Sequence, residues 1–300
     1  MVCCSFVASS IDKLPSLRKP QPETMYESRW LSLKRGTIRY VSLGKNDASD
    51  TIILMPDPPN TIEHMSELIN LLSKKFKVVI FEGLGFGYST ANMDYDFSIE
   101  HNAEVMVELL HKLEIKRAIL ALTCVAALAG LWVANKYPER IKGIVLGQTP
   151  SLDEAKRWAK RIDFKGLIGT PFLGQILLKL FKGRISDLWY ENALARGKDR
   201  HFFVDNANIS FKNGARFSLA SGLQSLLGSE TDTADLIARQ KSIVLWGNLD
   251  RSHRSTNKYF ILDFLPNGKI VELEKCAHFP DVEAPEAFAE AIEEVALEAI

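Results

Sequence analysis

Cysteine is scarce in this 300-residue chain. Four residues, two of them adjacent at Cys3 and Cys4, cannot staple a chain of this size, and the N-terminus lacks the basic-then-apolar pattern of a secretory signal. A reducing, cytoplasmic setting is the expectation; the Cys3-Cys4 pair reads as incidental on a frayed terminus, with acylation as the alternative. Net charge is also missing, because 37 basic and 37 acidic side chains cancel. No whole-protein field exists to hold a nucleic acid or an anionic membrane. A membrane span is not expected either. The longest uncharged run, residues 118–135, is interrupted by Thr123, Cys124 and Gly130 and reads as a buried strand followed by a buried helix. Glycine is short where a dinucleotide would need it. The run Gly83-Leu84-Gly85-Phe86-Gly87 has no third glycine at Tyr88 or Thr90, so it reads as a turn. No cofactor and no metal are expected.

What remains is an ordinary globular composition, 46% hydrophobic and 25% charged, with enough length to bury a large core. Apolar and polar residues alternate through Trp30-Leu31-Ser32 and again from Thr37 to Val41 around Arg35-Gly36, which predicts an antiparallel hairpin. Short apolar runs at residues 52–55, 78–81, 119–122 and 144–146 then alternate with helical spacing, as in Val105, Leu109, Leu110 and Leu113 after the cap-like Ser98. That rhythm predicts an α/β protein with a doubly wound, mostly parallel sheet. It breaks near Thr149 and resumes with strands at 243–246 and 270–273 and a final helix from Pro285. The predicted organisation is an N-terminal extension over 1–25, a first core segment over 26–150, a helical insertion over 151–239 and a second core segment over 240–300. No internal repeat is visible.

Three residues stand where strands give way to loops. Cys124 lies where the strand ending at Leu122 turns into a helix, Asp250 follows the strand ending at Trp246-Gly247, and His278 follows the strand ending near Leu273. Each alone has a plain structural explanation: a core thiol, a turn former, a buried histidine. Nucleophile, acid and base in that order, at the carboxyl ends of successive strands, form a topology in which they can converge. A helix N-terminus and a neighbouring histidine are expected to favour the thiolate, making Cys124 more alkylation-sensitive than Cys276.

These residues give the chain from about Trp30 onward a resemblance to the α/β-hydrolase fold family. Glu82-Gly83-Leu84-Gly85-Phe86-Gly87-Tyr88-Ser89 is similar to its acidic, glycine-rich turn, and Tyr137-Pro138-Glu139-Arg140 with Ile144-Val145-Leu146 to the stretch after its nucleophile helix. Trp246-Gly247-Asn248-Leu249-Asp250 and Ala277-His278-Phe279-Pro280 with Glu283-Ala284-Pro285-Glu286 match its acid and histidine signatures. The resemblance implies that Cys124, His278 and Asp250 form a triad and that the insertion is a cap shaping an apolar pocket floored by Cys124. Two departures accompany it. The elbow pattern Gly-x-Ser-x-Gly is Leu122-Thr123-Cys124-Val125-Ala126, with cysteine for serine and both glycines replaced. The oxyanion loop His-Gly-x-Pro is Pro56-Asp57-Pro58-Pro59. Proline has no N-H, so Pro58 cannot donate to an oxyanion, and Asp57 adds negative charge there; only the Val125 N-H remains unless Asn60 contributes. The expected function is hydrolysis or acyl transfer on a small or medium apolar ester, lactone or thioester. The alternative is a non-hydrolytic descendant, either a ligand-binding pseudoenzyme or a cyclase, isomerase or lyase that moves protons with Asp57 and His278. The partner is a small apolar substrate or ligand, and the sequence is silent on oligomeric state.

Overall fold

The computed structural model describes residues 26–45, 50–181, 184–212 and 215–297. The N-terminal extension and the Cys3-Cys4 pair lie outside these residues. The predicted hairpin is β1 (Arg29–Leu33) and β2 (Gly36–Gly44), paired with Leu31 opposite Ile38. After it come β3 (Thr51–Met55), helix α1 (Ser66–Leu72), β4 (Lys77–Phe81), a two-residue β5 (Thr90–Ala91) paired to β2, and helix α2 (Ile99–Lys112). Ser98 caps α2 as its sequence suggests, its hydroxyl accepting from the His101 N-H at 3.1 Å. Strand β6 (Ala118–Thr123), helix α3 (Ala127–Lys136) and β7 (Ile141–Gly147) complete the first part. The sheet closes with β8 (Ser242–Gly247) and β9 (Gly268–Leu273), followed by the one-turn helix α9 (Pro280–Glu283) and α10 (Pro285–Leu297). Strand order is β1-β2-β4-β3-β6-β7-β8-β9, antiparallel at β1-β2 and β2-β4 and parallel from β4 to β9.

Both faces of this sheet are buried, which is why its strands read as continuous apolar runs rather than alternating ones. Ile53, Leu120, Leu122 and Val244 point to one face, covered by α2 and α3; Ile52, Ile119, Val145 and Ile243 point to the other, covered by α1 and α10. Between β7 and β8 the chain leaves the sheet and forms helices α4 (Leu152–Ile162), α5 (Leu173–Leu180), α6 (Arg184–Ala193), α7 (Arg200–Lys212) and α8 (Ala215–Leu227). Residues of α6, α7 and α8 make a separate apolar cluster around Tyr190, Phe203 and Phe211, which reaches Phe279 beside the sheet edge.

One charge crosses the first core. Arg39 of β2 is fully buried and pairs with Glu82 at 3.0 Å and with Glu63, while its Nε donates to Ser28 at 2.9 Å. Glu82 in turn accepts from the Tyr88 N-H at 2.7 Å, so the guanidinium holds the turn after β4 in place. Removing one member of a buried ion pair strands the other without water. Arg39→Met is therefore expected to destabilise the fold by about 3–5 kcal/mol in urea unfolding, and a change under about 1 kcal/mol would show that Glu82 is satisfied without it.

Candidate active site

Parallel pairing sets the site. Strands β3, β6, β7, β8 and β9 end at the same edge, with Met55 opposite Leu122, Thr123 opposite Gly147 and Gly247 opposite Leu273, so the residues just after them emerge side by side. Cys124 follows β6 with a left-handed backbone, φ 57°, between an extended Thr123 and a 3-10 turn over Cys124–Ala126 that leads into α3. A non-glycine residue takes this conformation only where its surroundings force it. The helix is brought close by Gly130 of α3. A Cβ there would lie 2.3 Å from Leu122 Cδ1, so the helix supplies the room that the strand's leucine takes up.

His278 is fully buried and bonded at both ring nitrogens. Its Nδ1 lies 2.7 Å from Asp250 Oδ2 and its Nε2 lies 3.3 Å from Asp57 Oδ2. Asp250 is fixed in turn: the Gln148 side chain donates to Oδ2 at 3.0 Å, and the Ser252 N-H and hydroxyl each donate to Oδ1 at 2.8 Å. Gln148, itself left-handed at φ 47°, also accepts from the Gly247 N-H at 2.7 Å and so ties β7 to β8 at this edge. The Cys124 sulfur, a His278 ring nitrogen and a His253 ring nitrogen lie within 4.8 Å of one another. These three are the cluster among the described residues able to ligate a soft metal ion, but both His278 nitrogens already face carboxylates. The hydrogen-bonded arrangement therefore accounts for the histidine without an ion.

The electrostatics follow from burial and from the two carboxylates. Burial opposes charging of His278, but the charges of Asp250 and Cys124 and the bonds to Asp250 and Asp57 hold its pKa well above the usual histidine value. Asp250 goes down to about 2: burial works against ionisation, and the His278 charge and hydrogen bond outweigh it. Asp57 goes up, chiefly by burial, with His278 offsetting part of the effect. Cys124 is pushed up to about 11, first by burial and then by the charge of Asp57.

A family model described as alpha/beta hydrolase fold matches residues 59–165. A thermophilic esterase from Thermogutta terrifontis superposes with a TM-score of 0.69 at 16% identity, covering 91% of this chain and 99% of that one. This chain has the α/β-hydrolase fold. In sequence it is similar to haloalkane dehalogenase 2 of Mycobacterium tuberculosis, 24% identical over 285 residues covering 91% of this chain and 96% of that protein. It is also similar to 3-oxoadipate enol-lactonase 2 of Acinetobacter baylyi, 21% identical over 261 residues covering 86% and 92%.

Set in the α/β-hydrolase fold, the sequence candidates Cys124, His278, Asp250 and Asp57 all come together, and three expectations change. The thiolate is not favoured at rest: burial and Asp57 outweigh the histidine, although Cys276 is pushed higher still. Asn60 does not lend a backbone donor, because its N-H bonds Asp57 O at 2.9 Å, and Pro58 has none to lend. The Val125 N-H lies against the Cys124 sulfur. The cavity at this edge, about 330 Å³, opens beside Asp250 and His253 and is lined by polar residues such as Asn248, Arg254 and Lys258, with neither Cys124 nor the helical insertion in its wall. The insertion meets the site directly instead. Trp158 of α4 stacks parallel to His278 at 6.4 Å, Trp189 of α6 stands edge-on at 5.2 Å, and the backbone N-H of His278 donates to Ala193 O at 2.9 Å.

Sequence reasoning did not foresee several side chains that lie beside the candidate site. Among the described residues Trp189 Nε1 and Asn60 Nδ2 are buried donors without a partner and His253 Nε2 is a buried ring nitrogen without one, while the Asp281 carboxyl lies against Thr123 with a pKa pushed by burial to about 7. His253 packs parallel to both Trp158 and His278, at 5.2 and 5.3 Å, in a cluster of three rings, and is held neutral by burial and the His278 charge, which take it down to about 3. The signal for His253 was its place three residues after Asp250. Trp158 and Trp189 carried no signal, since an insertion's side-chain directions are not written in its periodicity; Asn60 was read as a backbone donor, and the fold presents its side-chain Nδ2 instead.

Proposed function

We propose that the protein is a hydrolase or acyltransferase in which Cys124 is the nucleophile, His278 the base and Asp250 its anchor, acting on a small or medium apolar ester, lactone or thioester. The observation that carries this reading is the left-handed Cys124 at the strand-to-helix turn, with its sulfur close to a histidine that a carboxylate holds at 2.7 Å. The aromatic faces of Trp158 and Trp189 beside His278 suit an apolar acyl group. In this mechanism His278 Nε2 takes the thiol proton as sulfur attacks the carbonyl carbon, then returns it to the leaving group; water completes the cycle by hydrolysing the thioester. The negative oxygen of the tetrahedral intermediate draws on Val125 N-H and on buried donors the resting protein leaves unpaired, Asn60 Nδ2 and Trp189 Nε1. For Nε2 to be free as a base, Asp57 must carry the proton it now shares with His278. Burial moves the Asp57 pKa in that direction, and the His278 charge and hydrogen bond oppose it.

The 3.3 Å contact between Asp57 and His278 supports a second reading, proton transfer between these two groups on a substrate that never bonds to sulfur. Cys124→Ala and Asp57→Ala separate the two. Acyl transfer predicts that p-nitrophenyl acetate turnover falls at least about a hundredfold in Cys124→Ala, with an acetylated Cys124 peptide trapped from the parent by rapid acid quench. A parent and Cys124→Ala variant that turn over equally would remove sulfur from the mechanism.

A further inference from the structure

Half of the exposed large apolar side chains among the described residues lie between 162 and 209, about a sixth of the chain. The sharpest case is α5, which is folded the wrong way round for a soluble helix. Its outer stripe is Leu173, Ile176 and Leu180, continued by Phe181, with Ile176, Leu180 and Phe181 exposed at 54%, 71% and 55%. Its inner face is Gly174, Gln175 and Leu178. These positions recur at three and four residues, so they divide the helix into two opposed faces.

The inversion is locked. The Gln175 amide donates to Ser221 Oγ and Gln224 Oε1, both at 3.1 Å, and the Gln224 amide donates to Ile168 O at 2.9 Å. A Cβ on Gly174 would lie 2.1 Å from Ile168 O, so the backbone of α5 sits directly on the preceding loop. Rolling the helix to hide its leucines would break these bonds and bury no equivalent set. Charge says what the outer stripe faces. Residues 164–184 contain Lys165, Lys179, Lys182 and Arg184 and no acid, within a chain whose 37 basic and 37 acidic side chains balance as a whole.

We propose that the outer face of α5 docks the protein onto an anionic phospholipid bilayer, its apolar stripe entering the headgroup boundary and the basic residues of the 164–184 segment, Lys179 of α5 among them, meeting lipid phosphate and carboxylate. An eight-residue helix is far too short to cross a bilayer, and none of the described helices is long and apolar enough to do so, so the contact lies in the plane of the surface. A second copy is the weaker occupant: a two-fold contact through this face would set two basic, acid-free 164–184 segments against each other. The inference is independent of the acyl-transfer reading, because its test needs no turnover.

The test is flotation of the full-length protein with vesicles of phosphatidylcholine alone and of phosphatidylcholine with about one-third phosphatidylserine. The expected result is at least about tenfold more protein floating with the anionic vesicles, falling steeply with added salt. Ile176→Asp with Leu180→Asp should return it to the phosphatidylcholine level, and Lys165→Glu with Lys179→Glu should reduce it. Leu180→Asp alone, at the most exposed position, serves if the double variant loses its thermal transition. Equal flotation of parent and Leu180→Asp would overturn the proposal. So would no flotation with anionic vesicles, including the case in which the parent self-associates and the aspartates make it monomeric.

Discussion

Asp57→Asn should raise the alkylation rate of Cys124 at pH 8 by roughly tenfold to a hundredfold, the effect of shifting a thiol by one to two pKa units when a neighbouring like charge is removed. The sign follows from which form reacts. Only the thiolate attacks iodoacetamide, burial and then the Asp57 charge hold the Cys124 thiol up to about 11, and so the parent rate should climb about tenfold per pH unit between pH 8 and 10. Asparagine keeps the shape and deletes the charge. It also releases His278 Nε2 from its 3.3 Å carboxylate contact, leaving that nitrogen to the thiol. Burial remains, so the midpoint moves down without reaching that of an exposed cysteine. Peptide mapping after brief alkylation reads this directly, with buried Cys276 as internal control. An unchanged Cys124 rate would mean that Asp57 is already uncharged, or that sulfur is closed to the reagent in both proteins; mercury titration separates these. The same variant divides the two functional readings. An acyl-transfer enzyme should gain ester turnover, whereas an enzyme that moves protons through Asp57 should lose its reaction.

The second large effect is expected at Asp250. Asp250→Asn should lower ester turnover by about three to four orders of magnitude while leaving the fold intact, as loss of the histidine's anchor does in triads generally. Asp250 Oδ2 accepts from His278 Nδ1 at 2.7 Å, which fixes the tautomer whose Nε2 can accept a proton. An amide there can present N-H instead, and the ring then carries its hydrogen on Nε2 and ceases to be a base. The Ser252 bonds to the other oxygen survive the change, whereas the Gln148 amide, which donates to Oδ2 at 3.0 Å, loses its acceptor. Stability gives an independent readout. The Asp250 pKa is depressed in the folded protein to about 2, so its stabilising contribution is present above the unfolded value near 3.9 and lost as pH falls towards 2. The parent should therefore lose part of its melting-temperature advantage over the variant between pH 5 and 2. Turnover within threefold of the parent would exclude Asp250 as the anchor.

Most of the sheet was legible because its signals are local. Runs such as Ile52 to Met55 and Ile243 to Trp246 are apolar on both faces, and parallel strands between helices need that. The order Cys124, Asp250, His278 was legible for the same reason: each follows a strand, and parallel topology brings strand ends together. What the sequence did not convey is the outcome of competition between groups far apart in the chain. Asp57 is 221 residues from His278, and only the folded edge brings them to 3.3 Å. The thiol's direction of shift was misjudged because a helix N-terminus is visible in sequence and complete burial is not. The same holds for the insertion, where Trp189 lies beside the histidine and the apolar stripe of α5 faces outward.

The exchange between Leu122 and Gly130 has a consequence for how such a turn can change over time. Small size is needed at one place in the contact between strand and helix, and here it is met from the helix side. Neither position can therefore be read, or redesigned, alone. Glycine at 122 without a larger partner at 130 leaves a void, and a larger residue at 130 without a smaller one at 122 collides. A substitution at either position is therefore expected to need a compensating one at the other, so the pair is the unit that a redesign of this turn has to change.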